Sequence, residues 1–299
     1  MPPPYYTAVA DDFESVNELI RQNLTSRVPL VEEIAEYLIE AGGKRLRPLL
    51  VLLSANACGY NEGKHIKLAA VIEFLHTAML LHDDVVDDSM LRRGRKTVNA
   101  TWGNPASVLV GDFLHSRAFE MMVEIGDMGV MEIISRATNV ISEGEVQQLT
   151  NLRNPDLTEA AYMQVIERKT AALFEAASHS AAALARATPE QAEALRDYGV
   201  QIGLAFQLVD DVLDYQGTAA DLGKNVGDDL AEGKVTLPLI VAMRDGTEED
   251  ASFVRNAIRT GGLEHLDGMV EIVNRTGGLQ YTMQKARVCR DAALACAAV

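Results

Sequence analysis

The sequence predicts an all-α protein, and three observations carry that expectation. Its nine prolines fall at 2, 3, 4, 29, 48, 105, 155, 189 and 238, leaving long proline-free stretches that can hold complete helices. The punctuation between those stretches is of the helix start and stop kind. No convincing run of alternating strand residues, no Asn-Gly hairpin signal and no fixed repeat of about 20 to 50 residues is found.

Taken in order, Pro29 opens a helix in which Leu30, Ile34, Tyr37 and Leu38 share a face, and Gly42 with Gly43 ends it. The strongest apolar window spans 68–81. The run 74–81 and the Ala-rich run 171–187 carry so few charges that only helices buried on most sides suit them. Thr188-Pro189-Glu190-Gln191 reads as an N-cap, a proline at the first helical position and a capping-box glutamine. Gly246 followed by Thr247-Glu248-Glu249 is a helix stop and a new start. No linker-like tract divides the chain, so 1–299 is expected to be a single domain, a thick helical bundle of roughly ten or more helices.

Composition narrows the function. Of 299 residues, 48% are apolar but only 5% aromatic, so the apolar surface is mostly aliphatic. With 27 basic and 43 acidic residues the net charge is −16. Nucleic acid is therefore not an expected partner, because phosphate backbones are held by clustered Lys and Arg; any anionic ligand must be held locally against the overall field. Cys58, Cys289 and Cys296 form no CxxC pair, which points to neither a disulfide framework nor structural zinc and fits a reducing, cytoplasmic compartment. The first basic residue is Arg21, so a signal peptide is not expected. The window 68–81 is short and holds Glu73 and His76, so no transmembrane segment is expected either.

The pattern DDxxD occurs twice, as Asp83-Asp84-Val85-Val86-Asp87 and Asp210-Asp211-Val212-Leu213-Asp214, each time after a strongly apolar stretch. On a helix these positions are i, i+3 and i+4 neighbours, so the carboxylates of each cluster converge. Crowded at the end of an apolar helix, they cannot stay ionised and desolvated without cations. Oxygen-only ligands at this spacing suit Mg²⁺, which keeps several waters and shares positions with substrate phosphates. A single such run could be a solvated helix end; two matched runs argue for metal ions around a diphosphate.

Basic residues supply the other half. Gly42-Gly43-Lys44-Arg45-Leu46-Arg47-Pro48 places three cations in a segment opened by Gly and closed by Pro, and Arg92-Arg93-Gly94 follows the first aspartate cluster. Arginine forks bind phosphate oxygens bidentately and lysine supplies a compact charge, so two anion sites are plausible. Lys169-Thr170, Lys224 and Lys234 would complete a cationic rim. Taken singly, each of the three lysines reads as a surface residue.

These motifs resemble those of the trans-polyprenyl diphosphate synthases over nearly the whole chain: GGKRLRP at 42–48, FLHTAMLLHDDVVDDSMLRRG at 74–94, GD at 111–112, KT at 169–170, FQLVDDVLD at 206–214 and GKNVGDDLAEGKVTLP at 223–238. The resemblance implies an isoprenoid-synthase bundle around a deep central cavity, a homodimer, and aspartate clusters facing each other at the cavity mouth. By motif position, Asp83, Asp84, Asp87, Asp210, Asp211 and Asp214 would hold Mg²⁺, three ions per site, directly or through water. Arg92, Lys169, Thr170, Gln207, Lys224 and Lys234 would contact an allylic diphosphate. Lys44, Arg47, His76 and Arg93 would contact isopentenyl diphosphate. The implied catalytic set is Asp83, Asp84, Asp87, Arg92, Lys169, Asp210, Asp211 and Lys224.

Chain length is expected to depend on Ala78 and Met79, one turn before Asp83, and on Met122 as a floor, although methionine is more often plain core filling. The segments FLHTAMLLHDDVVDDS, NPASVLVGDF and EGEVQQL look most like the bacterial octaprenyl subgroup, which implies a C40 product built from farnesyl diphosphate for a ubiquinone or menaquinone side chain. The alternatives are a shorter- or longer-chain synthase, or a non-catalytic regulatory subunit of the same fold. Further C-terminal helical sequence is usual in the family, whereas this chain ends in ALACAAV, so a truncated C-terminal helical segment is expected. Glu73-Phe74-Leu75-His76 also fits the ExxH spacing of di-iron bundles, but a second inward ExxH is missing.

Overall fold

The computed structural model describes residues 3–216, 227–261 and 263–298. In chain order its helices are α1 (Pro4–Thr7), α2 (Ala10–Asn23), α3 (Pro29–Ala41), α4 (Leu46–Ala57) and α5 (Lys64–Val86). A hairpin of β1 (Leu91–Arg92) and β2 (Arg95–Lys96) comes next, then α6 (Val98–Trp102), α7 (Asn104–Ile125), α8 (Met128–Asn151) and α9 (Glu159–Ile166). A π-helical turn at Glu167–Ala171 leads into α10 (Ala172–Leu184) and α11 (Pro189–Gln216). The remaining helices are α12 (Asp228–Ala231), α13 (Leu237–Asp245), α14 (Glu248–Thr260), α15 (Leu266–Arg275) and α16 (Gly278–Cys296). The chain forms two compact units, one of Met1–Ala137 with Leu173–Gly199, the other of Thr138–Ala172 with Val200–Ala298.

In the first unit α5 is central. Leu68, Ala69, Ala70, Val71, Ile72, Leu75 and Ala78 expose no surface, because α7, α4 and α2 pack around them. Each buried Leu or Ile contributes about 1.5–3 kcal/mol. The contact with α7 is close: a Cβ at Gly111 would stand 2.4 Å from His82 Nε2, displacing that ring, and 3.3 Å from the Ala78 carbonyl oxygen. Nearby, the buried Ser107 Oγ donates to Leu81 O at 2.8 Å, which ties the last turns of α5 to α7. The Thr188 capping box forms as its sequence predicts, with Gln191 N donating to Thr188 Oγ1 at 3.3 Å and Thr188 N to Gln191 Oε1 at 3.1 Å.

The hairpin corrects the expectation of no strand pairing. β1 and β2 pair antiparallel across Arg93 (φ 54°) and Gly94 (φ 74°), both left-handed as a type I′ turn demands. Strands of two residues have no alternation to read, and Arg-Gly is a weaker turn signal than Asn-Gly.

The second unit has its own apolar core, including Leu208, Val212, Leu230, Leu237, Val241, Val254 and Val273. The start of α16 lies against α13, where a Cβ on Gly278 would stand 2.6 Å from Pro238 O. α14 opens on a capping box in which Thr247 Oγ1 accepts from Asp250 N and Asp250 Oδ2 accepts from Thr247 N.

Candidate active site

The first aspartate cluster closes α5. Asp87 N donates to Asp83 O at 2.8 Å, so the helix persists through the cluster. Its carboxylates are not equivalent. Asp83 and Asp87 are half-buried, whereas Asp84 is 3% exposed and is gripped by Arg92, whose Nε and Nη2 both donate to Oδ1, at 2.8 and 2.7 Å. Burial raises the Asp84 carboxyl above its ordinary range, and Arg92 pulls it back. Asn99 Nδ2 donates to the carbonyls of Asp84 and Ser89, at 3.1 Å each, and pins the chain that leaves α5. The middle aspartate is thus an anchor for Arg92, and the outer two are more open to solvent.

The basic segment surrounds a second group. Gly42 caps α3 with φ 63°, and Arg93 Nη1 donates to its carbonyl while lying where a Cβ on Gly43 would be. Arg47, in the first turn of α4, donates from Nη1 to His76 Nε2 at 3.3 Å and lies 4.2 Å from the centroid of the Phe174 ring. Guanidinium can only donate, so His76 Nε2 is the acceptor and the imidazole is neutral. Burial, with the charges of Arg47, Arg93 and Arg92, holds its pKa well below the ordinary value. Burial also pulls the Arg47 guanidinium down to about 10.

Glu73 stands among these cations. Its Oε1 is 3.9 Å from Arg45 Nε, and its Oε2 is buried without a hydrogen-bond partner. Burial raises its pKa against the pull of Arg45, Arg47 and Arg93. Glu73 and His76 both face arginines, which leaves the ExxH reading without support. Lys44 is exposed ahead of α4. From α3, Tyr37 OH donates to Lys96 O at 2.5 Å and Glu40 pairs with Arg95 at 3.2 Å, clamping the hairpin. A cavity of about 80 Å³ lies beneath it, lined in part by Tyr37, Glu73, Phe74, Leu81, Arg92 and Arg93.

In the second unit the π turn aims Lys169 and Thr170. Such a turn adds a residue within a helix and rotates the segment beyond it, a device common at functional sites. Lys169 Nζ pairs with Glu145 at 2.7 Å, and Thr170 Oγ1 donates to Gln207 Oε1 at 2.9 Å. Gln207 Nε2 in turn donates to Asp211 Oδ1 at 2.9 Å, and Tyr162 OH donates to Asp211 Oδ2. The second cluster is divided differently from the first: Asp210 is half-buried, while both Asp211 and Asp214 are buried, 1% and 0% exposed. Burial and the neighbouring Asp229 drive the Asp211 carboxyl well above its ordinary range. Lys234 pairs with Glu232 at 2.5 Å. Lys224 lies outside the described residues.

Of the chain-length positions, Ala78 and Met122 are fully buried and Met79 is partly exposed. His82 makes a wall contact, with Nε2 3.2 Å from Val108 O and 3.3 Å from Asp112 Oδ1. Tyr162 and Asn99 lie outside the motifs legible in the sequence, whereas Glu145 falls within EGEVQQL and Asp229 within GKNVGDDLAEGKVTLP, neither with a role that the motif alone assigns.

These donor sets fit Mg²⁺. Among the described residues no three His, Cys, Asp or Glu side chains gather into a cage; Mg²⁺ takes one or two carboxylates and fills its shell with water and phosphate oxygens. The half-buried carboxylates are Asp83 and Asp87 in the first unit and Asp210 in the second.

Comparison with known proteins agrees with the motifs. The polyprenyl synthetase family profile matches residues 28–274. The octaprenyl diphosphate synthase of Escherichia coli (strain K12) is 52% identical over 287 residues, 96% of this chain and 89% of that protein. The all-trans-nonaprenyl-diphosphate synthase (geranyl-diphosphate specific) of Rhodobacter capsulatus is 50% identical, over 93% of this chain and 86% of its own. Among solved structures, a polyprenyl synthase from Caulobacter crescentus CB15 complexed with calcium and isoprenyl diphosphate has a TM-score of 0.96 at 46% identity, covering 98% of this chain and 90% of that one. A decaprenyl diphosphate synthase from Rhodobacter capsulatus has a TM-score of 0.92, also at 46% identity, over 98% and 91%. On its motifs, its helical fold and these matches, the chain belongs to the polyprenyl synthetase family.

Proposed function

We propose that this prenyltransferase condenses isopentenyl diphosphate repeatedly onto an allylic diphosphate, farnesyl diphosphate, and releases all-trans octaprenyl diphosphate for a quinone side chain. The observation that carries the reading is the same in both units: a helix ends in an aspartate cluster whose middle carboxylate is buried and held, Asp84 by Arg92 and Asp211 by Gln207 and Tyr162. The octaprenyl length rests on the E. coli relative at 52% identity.

Asp83, Asp87 and Asp210 would hold Mg²⁺, three ions with diphosphate bound, while Asp84, Asp211 and Asp214 act through water or as fixed buried charge. Mg²⁺ supplies the charge neutralisation that lets a diphosphate leave. Arg92, Lys169, Lys234 and Lys224 share that task, with Thr170 and Gln207 orienting the group, as the allylic C–O bond breaks and an allylic cation forms. Arg47, Arg93 and Lys44 hold the diphosphate of isopentenyl diphosphate, and neutral His76 fixes the Arg47 fork. The alkene electrons of that substrate form the new C–C bond, and its proton passes to the released diphosphate. Aliphatic walls keep water from the cation.

The chain acts as a cytoplasmic homodimer in this reading. Exposed Leu109 and Val123 on α7 and Met128 at the start of α8 supply apolar surface for self-association; light scattering reads the mass. Among the described residues no helix is long and apolar enough to cross a membrane. The deciding test is incubation with Mg²⁺, farnesyl diphosphate and labelled isopentenyl diphosphate, followed by mass analysis of extracted products. A dominant C40 product is expected and is abolished by chelation. Another length would refute the octaprenyl assignment alone; no metal-dependent incorporation by folded protein would favour the regulatory-subunit alternative.

A further inference from the structure

Asp211 is held at both carboxylate oxygens by neutral donors, Gln207 Nε2 at Oδ1 (2.9 Å) and Tyr162 OH at Oδ2. The Gln207 amide is itself oriented by Thr170 Oγ1 at 2.9 Å. Tyr162 is 3% exposed and belongs to the same apolar core as Ile166, Leu208 and Val212, so its ring is fixed by packing. A buried carboxylate without donors is costly and rotates to find them. Here one donor arrives from the same helix, four residues earlier, and the other from α9, 49 residues earlier in the chain. Together they set both the position and the torsion of the Asp211 carboxyl beside the more open Asp210.

We propose that Tyr162 is a positioning residue of the second aspartate cluster: its hydroxyl locks the Asp211 carboxylate, and through it the orientation in which Asp210 meets a divalent cation with its diphosphate. The inference rests on the reading that this cluster binds Mg²⁺. Groups that orient metal-binding side chains typically cost about 10- to 100-fold in metal affinity when removed.

The test uses Tyr162→Phe, which keeps the ring and its packing. Mn²⁺ is titrated into the full-length protein with inorganic diphosphate present, free Mn²⁺ is followed by electron paramagnetic resonance, and wild type, Tyr162→Phe and Asp210→Ala are compared. About a 10-fold or larger weakening is expected in Tyr162→Phe, with the Mg²⁺ concentration for half-maximal turnover rising in parallel and the KM for isopentenyl diphosphate unchanged. A merely structural tyrosine would lower the Tm and leave Mn²⁺ affinity alone. Wild-type affinity in Tyr162→Phe together with weakened binding in Asp210→Ala overturns the role of Tyr162 only; unchanged binding in Asp210→Ala overturns the metal reading and this inference with it. In an Asp211→Asn background the Tyr162→Phe step is expected to change affinity by less than about twofold, since interacting positions are not additive. Additive losses also overturn the proposal.

Discussion

Replacing Gly144 by alanine tests whether the π turn is held by close approach of α8. A Cβ at 144 would stand 2.9 Å from Arg168 Cβ and 2.9 Å from Lys169 N, with Arg168 C at 3.1 Å. Ordinary contact begins at 3.4 Å, so the new methyl is about half an ångström too close to backbone atoms that cannot rotate aside. Either the helix or the turn must move. Overpacking of this kind costs about 1–3 kcal/mol, a fall in Tm of about 2–5 °C in a protein of this size. The larger effect is on geometry. Lys169 and Thr170 sit on the segment that shifts, and displacement of about 1 Å in a positioning group can cost about 100-fold in rate. Steady-state kinetics with farnesyl diphosphate should show kcat/KM for the allylic substrate down by about 10- to 100-fold, with KM for isopentenyl diphosphate within about twofold of wild type. Glu143→Ala, one residue away and exposed, is the control and should be near wild type. A Gly144→Ala protein with wild-type Tm and wild-type allylic kcat/KM would refute the argument.

Burial leads to two further expectations. His76 is neutral in the fold with its pKa depressed, so the unfolded chain, titrating near about 6.5, takes up a proton that the native state refuses. Stability is therefore lost as pH falls below about 6.5, by up to about 1.4 kcal/mol per pH unit. His115 and His179 are also depressed, but both remain in His76→Gln; the Tm difference between that variant and wild type should shift in the variant's favour from pH 8 to pH 5, and a constant difference would exclude the mechanism. Ala78→Phe is expected to shorten the product, read by mass spectrometry, at a cost of about 1–3 kcal/mol because Ala78 has no exposed surface; an unchanged product distribution would show that the side chain does not face the growing tail.

What the sequence made legible was local. Helix starts such as Thr188-Pro189 and the aspartate spacing depend on neighbours within a turn, and the structure has both in place. Two features resisted for the same reason. The i, i+3, i+4 spacing of Asp83, Asp84 and Asp87 made them look alike, yet Arg92 reaches back to grip the buried Asp84, and that contact is made by the fold of the hairpin. Likewise Tyr162 becomes a partner of Asp211 only because α9 packs beside α11. The π turn leaves no composition signal, since Glu-Arg-Lys-Thr-Ala is ordinary helical sequence; only Gly144, far along the chain, records its presence.

The state of Arg47 bears on how the protein meets changing ionic conditions. Its guanidinium has already given up water to Phe174 and His76, so the work of stripping solvent from that cation is done during folding and is not repeated when an anion arrives. Mobile ions screen exposed charges over about 8–10 Å at physiological salt but reach buried ones poorly. If Arg47 binds an anion as proposed, that recognition should weaken less with rising ionic strength than recognition through the exposed Lys44.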